Sequence, residues 1–146
     1  MSPVPRHLRA ARHDRVVVFV HDTTSPTDDE WELVLDHFRA MENLAEARAL
    51  VYTEGAAPTV VQRGKLNDLV GSRNPRIAVL TPSKIARAAG AALRWFNPRL
   101  RVFNPTDLDG ALGHLEVTQT EATTLRSTLG RLAGELGLAT LASLRP

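Results

Sequence analysis

The chain has 146 residues, 43 % of them hydrophobic and 23 % charged, which is the size and make-up of one globular domain with a well-filled core. The formal charge is +2, Lys65 and Lys84 are the only lysines, and no basic run is interleaved with aromatic rings, so the composition does not favour a nucleic-acid surface. There is no cysteine, which removes disulfides, thiol nucleophiles and thiolate metal sites together and fits a cytoplasmic protein; no apolar run approaches the ~20 residues of a membrane span.

Met1–Asp14 carries Arg6, Arg9 and Arg12 but no apolar stretch of the kind a secretory signal needs, and reads as a tail or a short edge strand. Arg15–His21 is a continuous apolar run, suited to a central strand buried on both faces. After the Asp22–Thr27 turn, Thr27 and Glu30 have capping-box spacing, and Asp28 and Asp29 sit at the positive end of the helix dipole. Trp31, Val34, Leu35, Phe38 and Met41 then form one apolar stripe, and the spacing predicts a helix that ends near Asn43–Glu46.

Ala47–Thr53 reads as a second strand and Glu54–Pro58 as a loop. Thr59 and Gln62 form a second capping box, Val60, Val61, Leu66, Leu69 and Val70 are the expected buried face, and Gly71 closes the helix. Arg76–Leu80 is the third strand, followed by a tight turn with Ser83 as cap. The next helix runs through Ala86, Ala89, Gly90, Ala92 and Leu93, small enough to lie close on a sheet, and Trp95 to Pro98 terminate it. Leu100–Phe103 is the last strand, and Thr106 with Asp109 is expected to cap a short helix holding Leu108, Leu112 and Leu115. In Thr118–Pro146, Leu125, Leu129, Leu132 and Leu136 recur at helical spacing; they either cover one side of the sheet or form a homodimer surface.

Strands alternating with helices make an α/β sheet domain. In an open parallel sheet, ligands sit outside the carboxyl ends of the strands. Those ends gather His21 to Thr24, Thr53 to Gly55, Thr81 to Ser83 and Asn104 to Thr106 into one polar rim. A hydrolase would draw on His21 as base, Asp22 or Glu54 as its orienting group and a rim hydroxyl as nucleophile, yet no G-x-S-x-G elbow is present. The Gly55–Pro58 loop lacks the glycines and the Gly-Lys-Ser/Thr ending of a P-loop, and no G-x-G-x-x-G follows the first strand. A phosphoacceptor receiver would need an acidic pair after the first strand and a lysine after the last; Asp22 stands alone and Asn104 takes the lysine's place. His7, His13, His37 and His114 show no metal-ligand spacing, so no metal or cofactor is expected.

The layout resembles the STAS-like domains, the sulfate-transporter and anti-sigma-factor-antagonist family, in a small bacterial branch. The residues that carry the resemblance are Glu54–Arg63 (Glu-Gly-Ala-Ala-Pro-Thr-Val-Val-Gln-Arg), Ala91–Pro98, Ile77–Thr81 and Val102–Asn104. It covers residues 15–117 and leaves the Leu-rich segment 118–146 as a helical extension. The resemblance implies a single-domain fold with a four- or five-stranded, mostly parallel or mixed sheet, packed helices and an extra C-terminal helix. It also implies an early antiparallel strand, which Pro3–Arg12 would supply at an edge. It implies a non-enzymatic switch in which a Ser or Thr at the start of the helix after the central strand is phosphorylated by a partner kinase. Thr59 is the matching candidate and Thr53 the second; where the family carries an Asp-Ser pair, this chain has Thr53-Glu54-Gly55.

The reading that results is a bacterial cytoplasmic regulatory module that binds another protein, either a regulatory partner or a kinase. Its contact residues are expected to be Asp22, Thr24, Glu54, Thr59, Val60, Arg63 and Asn67. The alternatives are a small-molecule or nucleotide site on the same rim, and a scaffold that assembles through Leu125, Leu129, Leu132 and Leu136.

Overall fold

A computed structural model describes residues 7–93 and 97–138. Five strands form one sheet in the order β1-β2-β3-β4-β5, the order in which they occur in the chain. β1 (Leu8–His13) runs antiparallel to β2 (Val16–His21), and β3 (Arg48–Thr53), β4 (Arg76–Leu80) and β5 (Leu100–Phe103) continue parallel to β2. The edge strand expected from the N-terminal segment is therefore present as Leu8–His13, while Pro3 and Pro5 lie outside the described residues. His13 pairs with Val16, so the hairpin turns in two residues, with Asp14 at φ 55°. Arg12 Nη1 donates to Asp14 O at 2.9 Å across it. An Asp-Arg turn carries none of the glycine signal that marks such hairpins in a sequence.

Strand order dictates where the helices go. The order never reverses, and right-handed crossovers therefore place every connecting helix on the same face. α1 (Asp28–Arg39), α2 (Val60–Val70) and α3 (Lys84–Leu93) occupy that face. The opposite face would be bare had the chain ended at β5. α4 (Leu108–Leu115) and α5 (Gln119–Glu135) return beneath the sheet and cover it. The pleat of β2 serves both layers: Val17 and Phe19 join Trp31, Val34, Leu35 and Phe38 above, while Val16, Val18 and Val20 join Leu112, Leu115, Leu125 and Leu129 below. Both halves of the strand are apolar for that reason.

Leu125, Leu129 and Leu132 are 0, 0 and 2 % exposed. They cover the sheet, as the first of the two readings had it, and Leu136 is half-buried against the same cluster. The homodimer surface expected on these four leucines is corrected accordingly, because three of them are spent inside the chain's own core.

Three boundaries differ from expectation. α1 ends at Arg39 rather than near Asn43–Glu46, because the Asn43 side chain accepts from Ala45 N–H and starts a separate 3-10 turn over Leu44–Glu46. α4 is capped by Asp107, whose Oδ1 accepts from Gly110 N–H at 3.0 Å, and not by Thr106 with Asp109. Thr106 instead donates its hydroxyl to Asn104 Oδ1, and Asp109 pairs with Arg126. On α2, Val60 and Val61 are 74 and 70 % exposed, so the expected buried face is rotated. Gln62, Leu66, Leu69 and Val70 point inward, and the Gln62 amide explains why.

Candidate functional site

The carboxyl ends of β2 and β3 and the starts of α1 and α2 form one hydrogen-bonded block. At its centre is Gln62, 2 % exposed. Its Oε1 accepts from Thr59 N–H at 2.9 Å, while Thr59 Oγ1 accepts from Gln62 N–H, completing the capping box of α2. Its Nε2 donates to Pro26 O and to Asp28 Oδ1, both at 3.0 Å, and its carbonyl accepts from Trp31 Nε1 at 2.8 Å. One side chain thus caps its own helix and ties it to the start of α1. The spacing in the sequence announces the cap; nothing in it announces the second attachment, because the partners lie more than 30 residues away.

α1 carries the matching device. Glu30, 4 % exposed, accepts from Thr27 N–H through Oε1, and through Oε2 from His7 N–H at 2.9 Å and Leu8 N–H at 3.1 Å. The capping glutamate is therefore also the anchor of β1. Asp22 adds a third tie: its Oδ2 lies 2.8 Å from His7 Nδ1, its Oδ1 accepts from Thr24 N–H, and its carbonyl accepts from Ala56 N–H. His7 contributes to the rim although it falls in a segment that the sequence marks only as weakly patterned.

His21 ends β2 on the helix side of the sheet, 1 % exposed. Its ring stacks on Trp31 at 6.5 Å and meets Phe19 edge-on at 5.5 Å. Burial pushes the imidazole down to about 4, against the smaller opposing pull of the Asp22 and Glu30 carboxylates. It is a neutral member of the core, and its Nδ1 is buried without a hydrogen-bond partner among the described residues. Asp22 bonds to His7 rather than to His21, and among the described residues His21 meets no rim hydroxyl. The base, acid and nucleophile that a hydrolase needs are not brought together around it.

The other rim hydroxyls hold the backbone. Thr53 is 5 % exposed; its Oγ1 donates to Ala56 O at 2.6 Å and accepts from Gly55 N–H at 3.0 Å. Ser25 Oγ donates to Ala57 O, Thr81 Oγ1 accepts from Ser83 N–H, and Ser83 Oγ accepts from Ala86 N–H as the expected cap of α3. Gly55, at φ 149°, takes a conformation that favours glycine and brings the β3–α2 loop beside Ser83.

Of the expected contact residues, Thr24, Thr59, Val60 and Asn67 are exposed, and Asp22, Glu54 and Arg63 are half-buried. All lie on or next to this block. Thr59 is open to solvent, whereas Thr53 is closed inside its loop. Because the strand order does not reverse, no crevice opens between crossover helices that diverge to opposite faces, the place where such sheets bind nucleotides. Among the described residues no group of three or more His, Cys, Asp or Glu is placed to hold a metal ion, and no helix is long and apolar enough to cross a membrane.

No protein-family profile matches the chain. No curated protein matches it either. Among solved structures it is similar to an uncharacterised protein of the DUF3478 family from Shewanella loihica PV-4, described as having a SpoIIAA-like fold. The TM-score is 0.54 at 19 % identity, over 79 % of this chain and 98 % of that one. The mixed five-stranded sheet, its antiparallel edge strand and its packed helices are those of the SpoIIAA-like, that is STAS-like, α/β fold.

Proposed function

We propose that this protein is a non-enzymatic bacterial regulatory module that acts by binding another protein through the rim and the first turns of α2. The observation that carries the reading is the contrast at α2. Val60 and Val61 stand 74 and 70 % exposed directly after a cap that is rigidly hydrogen-bonded, beside a half-buried Arg63 and an exposed Asn67. Exposed valines on a rigid base are contact groups. The hydroxyls around them are occupied with backbone, and the imidazole at the strand end is buried and neutral.

Thr59 is the proposed phosphosite, since its hydroxyl is the exposed one at this helix start. A phosphate there meets the positive end of the α2 dipole, so the fold tolerates it and the effect falls on the partner. The test is affinity capture from the native host with the full chain, its Val60→Asp and Arg63→Glu variants, and Thr59→Asp. The reading expects one protein retained by the wild type and lost with Val60→Asp and Arg63→Glu, and weakened by Thr59→Asp. Equal retention by all four, or a turnover dependent on the rim, removes it.

A further inference from the structure

We infer that α3, together with the first turn of α2, is the seat of an acidic amphipathic helix of the partner protein. The inference rests on the binding-module reading and names the chemistry of what is bound. α3 carries two apolar stripes where a sheet-packed helix needs one. The inward stripe is Ala86, Gly90 and Leu93; a Cβ on Gly90 would lie 2.5 Å from Val102 Cγ2, so the helix rests directly on β5. The outward stripe is Ile85, Ala88, Ala89 and Ala92, at i, i+3, i+4 and i+7, and all four are exposed, Ile85 by 84 %. The two helix starts are neighbours, since a Cβ on Gly55 would sit 3.8 Å from Ser83 Oγ. Val60 and Val61 therefore extend the same apolar surface.

Charge selects the occupant. α3 has no acidic residue, and Lys84 and Arg87 are both exposed. Neither, nor Arg63 on α2, has a carboxylate within ion-pair distance among the described residues. On the α1 side the charges are already matched, with Arg39 and Lys65 both on Glu32. Unmatched positive charge thus borders the apolar stripe. A second copy docking face to face would set Lys84 and Arg87 against themselves. A membrane-lying face buries large Trp, Phe or Leu side chains, whereas this stripe is mostly alanine. Alanine suits another helix, because small side chains at the crossing permit a close interaxial distance. Ten residues of α3 span ~15 Å, which a partner helix of about three turns would match. Its carboxylates would meet Lys84, Arg87 and Arg63, and its apolar face the stripe.

The test uses the ¹⁵N-labelled full chain and two synthetic amphipathic peptides, identical except that glutamates flank the apolar face in one and lysines in the other. Phosphatidylglycerol vesicles and light scattering run in parallel. The glutamate peptide is expected to shift the amides of Lys84–Ala92 and of Val60 and Val61. Lys84→Glu/Arg87→Glu is expected to weaken its binding at least tenfold with the melting temperature unchanged. Equal binding of the lysine peptide, or no response in α3, overturns the inference. So does vesicle binding without peptide binding, or a dimer that Ala89→Arg dissolves. If the host protein captured through Val60 is indifferent to Lys84→Glu/Arg87→Glu, the inference falls and the binding-module reading stands. If the glutamate peptide binds at α3 while no rim variant affects capture, the binding-module reading falls instead.

Discussion

Single side chains at the rim do two tasks, and that makes them sensitive. Gln62 satisfies Thr59 N–H, Pro26 O and Asp28 Oδ1 at once. Truncation to alanine leaves buried backbone groups unpaired, and Gln62→Ala is expected to cost about 2–3 kcal/mol in urea denaturation. Asn67→Ala, five residues on and exposed, is expected to change stability by less than ~0.5 kcal/mol, which separates a structural side chain from a contact one. Thr59→Ala removes a cap and is expected to cost ~1 kcal/mol, whereas Thr59→Asp keeps an N-cap acceptor and should fall within a few tenths of the wild type. The phosphomimetic therefore reports on binding without reporting on folding. Equal destabilisation by both substitutions would show that the hydroxyl itself, and not an acceptor at that position, holds α2.

Elements are held by close approach on one face and by guanidinium caps on the other. α3 lies on β5 through Gly90, where a methyl group would collide with Val102. Gly90→Ala is expected to cost about 1–3 kcal/mol despite alanine's better helix propensity, and Val102→Ala in the same chain should recover part of it, as a double-mutant cycle would show. At the opposite end of the sheet Arg48 and Arg76 stand in register on β3 and β4, with Arg15 one residue before β2. Arg48 Nε donates to Leu115 O at 2.6 Å and Arg76 Nη1 to His114 O at 3.2 Å, so they meet the carbonyls at the negative end of α4. Arg15 donates through Nε and Nη2 to both Glu121 oxygens, in the first turn of α5. Burial and then the Arg15 charge push the Arg48 guanidinium down. These arginines fasten the returning helices to the sheet, which is why β3 and β4 each open on a charge.

The molecule as a whole is closed by its last helix and weakened by acid. Leu129 is fully buried on the face that α4 and α5 cover, and Leu129→Ala is expected to cost about 2–5 kcal/mol. Removal of residues 118–146 should leave a chain that binds a hydrophobic dye and lacks a cooperative melt; a folded monomer would show that α5 is dispensable. His21 titrates near 6.5 when unfolded and near 4 when folded. Between those values the unfolded chain holds more protons, so stability falls as pH is lowered from about 6.5 to about 4, by roughly 3 kcal/mol at most. Glu121, held down to about 2 chiefly by the Arg15 guanidinium, contributes stability that is present above about 4.5 and is lost as pH falls towards 2. His21→Phe should flatten the first window and leave the second; a slope that survives the substitution would place the titrating group elsewhere.

The sequence by itself determined the elements, because apolar periodicity, Thr-x-x-Glu/Gln spacing and glycine stops act over a few residues. Thr27–Glu30, Thr59–Gln62 and Ser83 cap where their spacing says, and β2 is buried on both faces as its unbroken apolar run requires. Only the tertiary structure decided which way α2 faces, that β1 turns back in two residues, and that Glu30, Gln62 and His7 bind across the rim. Those outcomes depend on partners 15 to 36 residues distant, and the balance between exposing two valines and satisfying one buried amide is struck only once both helices lie on the sheet.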